Sequence, residues 1–155
     1  MKNVSGLMIF LLSMVLSSFN AFTCSCRPEF SPQTPILLAL DQSSSVFLGK
    51  VLNIEIIERD SMNHAEDILK EEMLTLQPDV RVTFKVLSAW KGQISSHLVL
   101  ETWSTGSCGY DFKIGRKYLV YSHGKEASIC SRTKAAKNAS GEMQILEAVT
   151  KGTQD

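Results

Sequence analysis

The sequence predicts a mainly β domain: five strands rolled into a small barrel, with short helices at its flanks and one terminal helix against it. Three observations carry this. Runs rich in β-branched and aromatic residues alternate with turn signals between residues 46 and 130. The 155-residue chain opens on a short apolar stretch of the kind removed on export. The 132 residues left once the leader's 23 are taken from 155 suit one domain with its own core.

The leader comes first in the chain. Lys2 supplies a positive start, and Leu7 to Leu16 (LMIFLLSMVL) is apolar apart from Ser13. That run is about half of the roughly 20 residues that span a bilayer. Small and polar residues follow: Ser17, Ser18, Asn20, Ala21 and Thr23. Residues 1–23 therefore read as a signal peptide and 24–155 as a single exported domain. Cleavage after Thr23 makes Cys24 the first mature residue, whereas cleavage after Ala21 leaves Phe22 and Thr23 ahead of it. A secreted or extracellular location is expected, or a periplasmic one in a Gram-negative bacterium.

Ser31-Pro-Gln-Thr-Pro35 leads into Ile36 to Asp41. Thr34 suits a helix cap and Pro35 the first helical position, so a short helix is expected, closed by the serines at 43–45. Val46 to Ile57 (VFLGKVLNIEII) predicts a long strand, with Gly49 marking a bulge or bend. Residues 60–79, rich in Glu, Leu, Lys and Met, predict a helical excursion or flap. Within it His64 beside Glu66 and Asp67 reads as a solvated face, since no second ligand follows at metal spacing. Val80 to Trp90 alternates apolar and polar residues and predicts the second strand. Leu98–Trp103, Lys117–Ser122 and Ala127–Cys130 predict the third, fourth and fifth. Met143, Ile145, Leu146, Ala148 and Val149 predict a terminal helix docked on the sheet.

Charge excludes some functions. The chain balances 16 basic against 16 acidic residues, and the leader removes only Lys2, leaving one net negative charge. Neither nucleic acid nor, once the leader is cut, a membrane is an expected partner. There is no G-x-S-x-G, no H-E-x-x-H and no phosphate-cradling glycine loop, so neither an enzyme nor a cofactor is expected. The three histidines, His64, His97 and His123, fall in expected loops or strand ends. Asn138-Ala-Ser140 fits a glycosylation sequon.

Chemistry concentrates in "TCSCRPEF", where Cys24 and Cys26 stand one residue apart and the next cysteines are Cys108 and Cys130. Export and an even count favour two disulfides. Bridging Cys24 to Cys26 would strain the backbone, which leaves two long-range pairings. Each bridge in either pairing closes a loop of roughly 85 to 105 residues, worth about 4 to 5 kcal/mol in chain-entropy terms. A zinc site of the chain's own is disfavoured, because zinc knuckles use C-x2-4-C spacing.

The C-x-C opening, the strand VFLGKV, a strand ending WKG, the segment CGYDFKIGRKYLVY and a last cysteine on the final strand together resemble a known family. They are similar to the inhibitory domain of the tissue inhibitors of metalloproteinases, within the netrin-like group. The similarity covers residues 24–133. It implies an oligonucleotide/oligosaccharide-binding (OB-fold) barrel of five strands, and pairing of Cys24 with Cys108 and of Cys26 with Cys130. It also implies a monomeric inhibitor of zinc metalloendopeptidases. In this family the amine and carbonyl of the first cysteine chelate the target's zinc, and the next side chain enters the specificity pocket; here those roles fall to Cys24 and Ser25. Cys26, Arg27 and Pro28 would continue the contact ridge, and Gly106 and Ser107 would add a second strip. Ser25 is smaller than the threonine common at that position. The alternative implied by the wider group is a module that binds an extracellular protein or glycan without inhibiting a protease.

Overall fold

The computed structural model describes residues 24–28, 30–57, 78–92, 95–104 and 108–152. The leader, Gly106, Ser107 and residues 60–77 of the expected excursion lie outside the described residues. A short helix α1 (Ile36–Gln42) precedes five strands: β1 (Ser45–Ile56), β2 (Val80–Lys91), β3 (His97–Thr102), β4 (Lys117–Ser122) and β5 (Lys134–Ala135). A 3-10 turn (Ala136–Asn138) then leads into the terminal helix α2 (Ser140–Lys151). The strands form one antiparallel sheet in the order β3-β2-β1-β4-β5. Neither helix is long and apolar enough to cross a membrane.

Period-two alternation explains why the sheet has two buried layers. Phe47, Val51, Val82, Phe84, Leu100 and Val120 point to one face and join Phe112 and Tyr118 in the larger core. Val46, Leu119 and Tyr121 point to the other face, where Ala39 of α1 and Leu146 of α2 cover them. Gly49 marks a register slip between β1 and β2, as expected. A β-carbon at Gly49 would stand 2.7 Å from the Phe47 ring, so its absence lets Phe47 and Phe84 meet edge to face. Lys91 donates to the carbonyls of Leu40 and Asp41, satisfying the end of α1.

Three expectations need correction. The sheet is not closed into a barrel: its outer strands, β3 and β5, are not joined by a ladder. The expected fifth strand at Ala127–Cys130 is not a strand; β5 comes later, at Lys134–Ala135, so Cys130 precedes the last strand. After Ala127 donates to the Glu101 carbonyl, the chain turns on its own hydroxyls. Ser131 Oγ donates to the Ser128 carbonyl (2.8 Å), and Ser128 Oγ accepts from the Cys130 amide (3.2 Å). Serine side chains thereby supply partners that a neighbouring strand would otherwise provide. Finally, Pro35 stands just before the first helical residue, and Thr34 Oγ1 accepts from Ser31 N (3.1 Å) instead of capping α1.

Phe84 is fully buried, with ring centroids 5.5 Å from Phe47 and 5.1 Å from Phe112. Phe84→Ala is expected to lower unfolding free energy by about 3–5 kcal/mol, read from urea denaturation midpoints.

Candidate functional site

The ridge begins at Cys24. Cys24 is bonded to Cys108 and Cys26 to Cys130, with Cα separations of 5.3 and 5.2 Å. The bridges lie side by side, Cys24 Sγ being 3.9 Å from Cys130 Sγ. The sulfurs of Cys24, Cys26 and Cys130 crowd within 4.8 Å, a ligand-like cluster. All are spent in disulfides, and a metal needs the thiolate. Side chains alternate along this extended piece, so Cys24 and Cys26 are half-buried while Ser25 between them is exposed. Arg27 and Pro28 are exposed as well.

Both anchor loops are themselves held. On the Cys108 side, Cys108 O accepts from the Ile129 amide (3.1 Å), and Gly109 bridges Ser128. A β-carbon at Gly109 would stand 1.9 Å from the Trp103 carbonyl oxygen, so only glycine lets this loop lie against the end of β3. Tyr110 N donates to Thr102 Oγ1 (2.9 Å), and the Tyr110 ring packs on Phe112 and Tyr118. The CGY triplet is thus a bolt, a close approach and a core anchor in consecutive residues.

On the Cys26 side the chain makes two turns, Phe30 N to Arg27 O (2.9 Å) and Thr34 N to Ser31 O (3.0 Å). Phe30 meets His123 edge to face at 4.9 Å. Arg132 then ties this segment to the body: one guanidinium nitrogen donates to the carbonyls of Pro32 and Thr34. Its other two nitrogens grip both oxygens of Glu142 at 2.9 and 2.8 Å. Lys134 (2.6 Å) and the Tyr121 hydroxyl (2.7 Å) complete the shell around that carboxylate. Burial by itself would raise the carboxyl's pKa, but the bonds from Arg132, Lys134 and Tyr121 outweigh it and hold it at about 2, against its ordinary 4.5. Burial and the negative Glu142 beside it push the Tyr121 hydroxyl strongly upward.

Of the expected site residues, the structure brings Cys24, Ser25, Cys26, Arg27 and Pro28 into one bridged segment against Cys108 and Cys130. Gly106 and Ser107 fall outside the described residues, and His97 and His123 stand apart on separate elements. The Arg132–Glu142 clamp was missed from sequence. Its signal is Glu142 itself, four residues before the buried Leu146 and hence on the apolar side of α2. No model of a protein family matches this chain. No curated protein matches it either.

Glu142 gains its partners only on folding, and its pKa falls. Its contribution is therefore complete above about pH 4.5 and is lost as pH falls toward about 2. The shift corresponds to on the order of 3 kcal/mol. Wild-type stability is expected to drop across that window in acid titrations followed by circular dichroism, while Glu142→Gln, less stable at neutral pH by roughly 3 kcal/mol, changes less.

Proposed function

We propose that the chain is an exported inhibitor of zinc metalloendopeptidases, built on an open form of the five-stranded oligonucleotide/oligosaccharide-binding barrel. The observation that carries this reading is the double bolting of the C-x-C segment, with Ser25 exposed between the bolts. A catalytic zinc with three protein ligands keeps a fourth position open. The α-amino nitrogen and carbonyl oxygen of Cys24, once it is the first residue, close a five-membered chelate on that zinc and displace its water. Sulfur takes no part, since both thiols are already in bridges. Ser25 enters the adjoining specificity pocket, flanked by Arg27 and Pro28. Amine coordination needs the neutral form, and an α-amine with a pKa of about 7.7–8.0 supplies it at little cost near neutrality.

Pre-organisation supports tight binding by a short segment. Ordering a free terminus costs about 0.5–1.5 kcal/mol per immobilised side chain, and bridges that fix the ridge beforehand remove much of that cost from the encounter. The clamp from Arg132 to the carbonyls of Pro32 and Thr34 holds the following turns in the same way.

One alanine added ahead of Cys24 moves the amine off the metal and leaves the rest of the ridge intact. The extended protein is expected to keep its melting temperature but to inhibit zinc endopeptidases at least about 100-fold more weakly, equivalent to about 3 kcal/mol. Equal inhibition by both forms would exclude the chelate.

A further inference from the structure

The two bridges touch. Cys24 Sγ lies 3.9 Å from Cys130 Sγ, although these atoms belong to different disulfides. The sulfurs of Cys24, Cys26 and Cys130 all fall within 4.8 Å of one another, and Cys108, bonded to Cys24, adjoins them. Residues i and i+2 of an extended segment point the same way, so the C-x-C spacing turns both of its sulfurs toward the two loops. A zinc–sulfur bond is about 2.3 Å, which sets two thiolates at tetrahedral positions on one ion about 3.8 Å apart. The spacing between the bridges is that of ligands around a single zinc.

Bonds that involve no sulfur hold the same positions. The Ile129 amide donates to the Cys108 carbonyl (3.1 Å), which ties the loop of Cys108 to the loop of Cys130. Tyr110 N donates to Thr102 Oγ1 (2.9 Å), and the Cys130 amide donates to Ser128 Oγ (3.2 Å). Beyond Cys26, Arg132 holds the carbonyls of Pro32 and Thr34. These ties do not depend on the bridges, and every exported chain carries its cysteines as thiols before it carries them as disulfides.

We propose that in this unoxidised state the four cysteines form a zinc site, with Cys24, Cys26, Cys108 and Cys130 each supplying one thiolate. The ion takes the place of four thiol protons, which leave to solvent. The spacing rule against zinc concerns knuckles, in which one short loop wraps the ion. Here the thiolates come from three segments that the fold already holds together. Oxidation dismantles the site. Each bridge forms as two thiolates pass two electrons to a disulfide oxidant, which takes up two protons and leaves as a dithiol, and the ion is released as its ligands are consumed. Zinc-loaded and bridged forms therefore exclude each other, whatever the bridged ridge binds.

The test uses the mature protein, fully reduced with a water-soluble phosphine, and zinc ion alone as the probe. The reduced protein is expected to take one zinc per chain from a chromophoric chelator and, while loaded, to shield all four thiols from alkylation. The oxidised protein should bind none at this site. Zinc should also raise the melting temperature of the reduced protein, as an ion that binds the folded form does. Where the metal-free reduced chain shows no melting transition, recovery of ellipticity at one zinc per chain is the equivalent readout. Cys130→Ser has no bridge to lose in the reduced state, so it isolates the thiolate. Its affinity should fall at least about tenfold, the least that losing even an outer contact of a metal site costs. The proposal is overturned if the reduced protein binds no more zinc than the oxidised one, if its thiols stay open to alkylation, or if Cys130→Ser binds as tightly as wild type. Zinc that binds without stabilising or restoring the fold is an adventitious ion on loose thiols, and overturns it equally.

Discussion

The arrangement of the whole molecule depends on two disulfides lying side by side. Joining Cys24 to Cys108 and Cys26 to Cys130 spans sequence separations of 84 and 104 residues, so the first described residues are tied to loops formed late in the chain. One bridge would leave the segment free to swivel about a single point. Two bridges, two residues apart, fix its direction as well as its position. Everything nearby serves that pose: the glycine that lets the Cys108 loop touch Trp103, and the serine-bonded turn that presents Cys130.

The buried carboxylate of Glu142 extends the same constraint to the other end of the chain. Its bonds to Arg132, Lys134 and Tyr121 join α2, the strand β5 and the end of β4, and Arg132 passes the connection to the carbonyls that follow the ridge. A buried ion pair returns little net free energy against a well-packed apolar alternative. What it supplies here is a directional tie: a planar guanidinium shared between a carboxylate and two backbone carbonyls allows few orientations. Arg132 thus couples the terminal helix to the turns that follow the ridge.

Four of the five strands were legible because each has its own alternation or β-rich run, and the terminal helix because its apolar residues recur at helical spacing. The fifth strand was misplaced for a local reason. Ala127–Cys130 has a strand-like composition, but it makes only isolated backbone bonds to Glu101 and Cys108, and Ser128 and Ser131 turn its end back on itself through their hydroxyls. The sheet also stays open, since β5 at Lys134–Ala135 pairs only with β4 and not with β3. Two long-range bridges from the C-x-C segment were legible from spacing and export, but their pairing, and with it the ridge, came only from the family resemblance. The Glu142 clamp was not legible, because its partners come from β4, β5 and the turns before α1 and meet only in the fold.

The central claim is a fixed, unblocked amine at Cys24, and mass spectrometry of the exported protein tests it most directly. Non-reducing digestion, with the terminal residue identified in the same experiment, is predicted to give a chain that begins at Cys24 with a free amine. It is predicted to give peptides joined as Cys24 to Cys108 and Cys26 to Cys130. A chain that begins at Phe22, an acylated Cys24, or the crossed pairing would contradict the account.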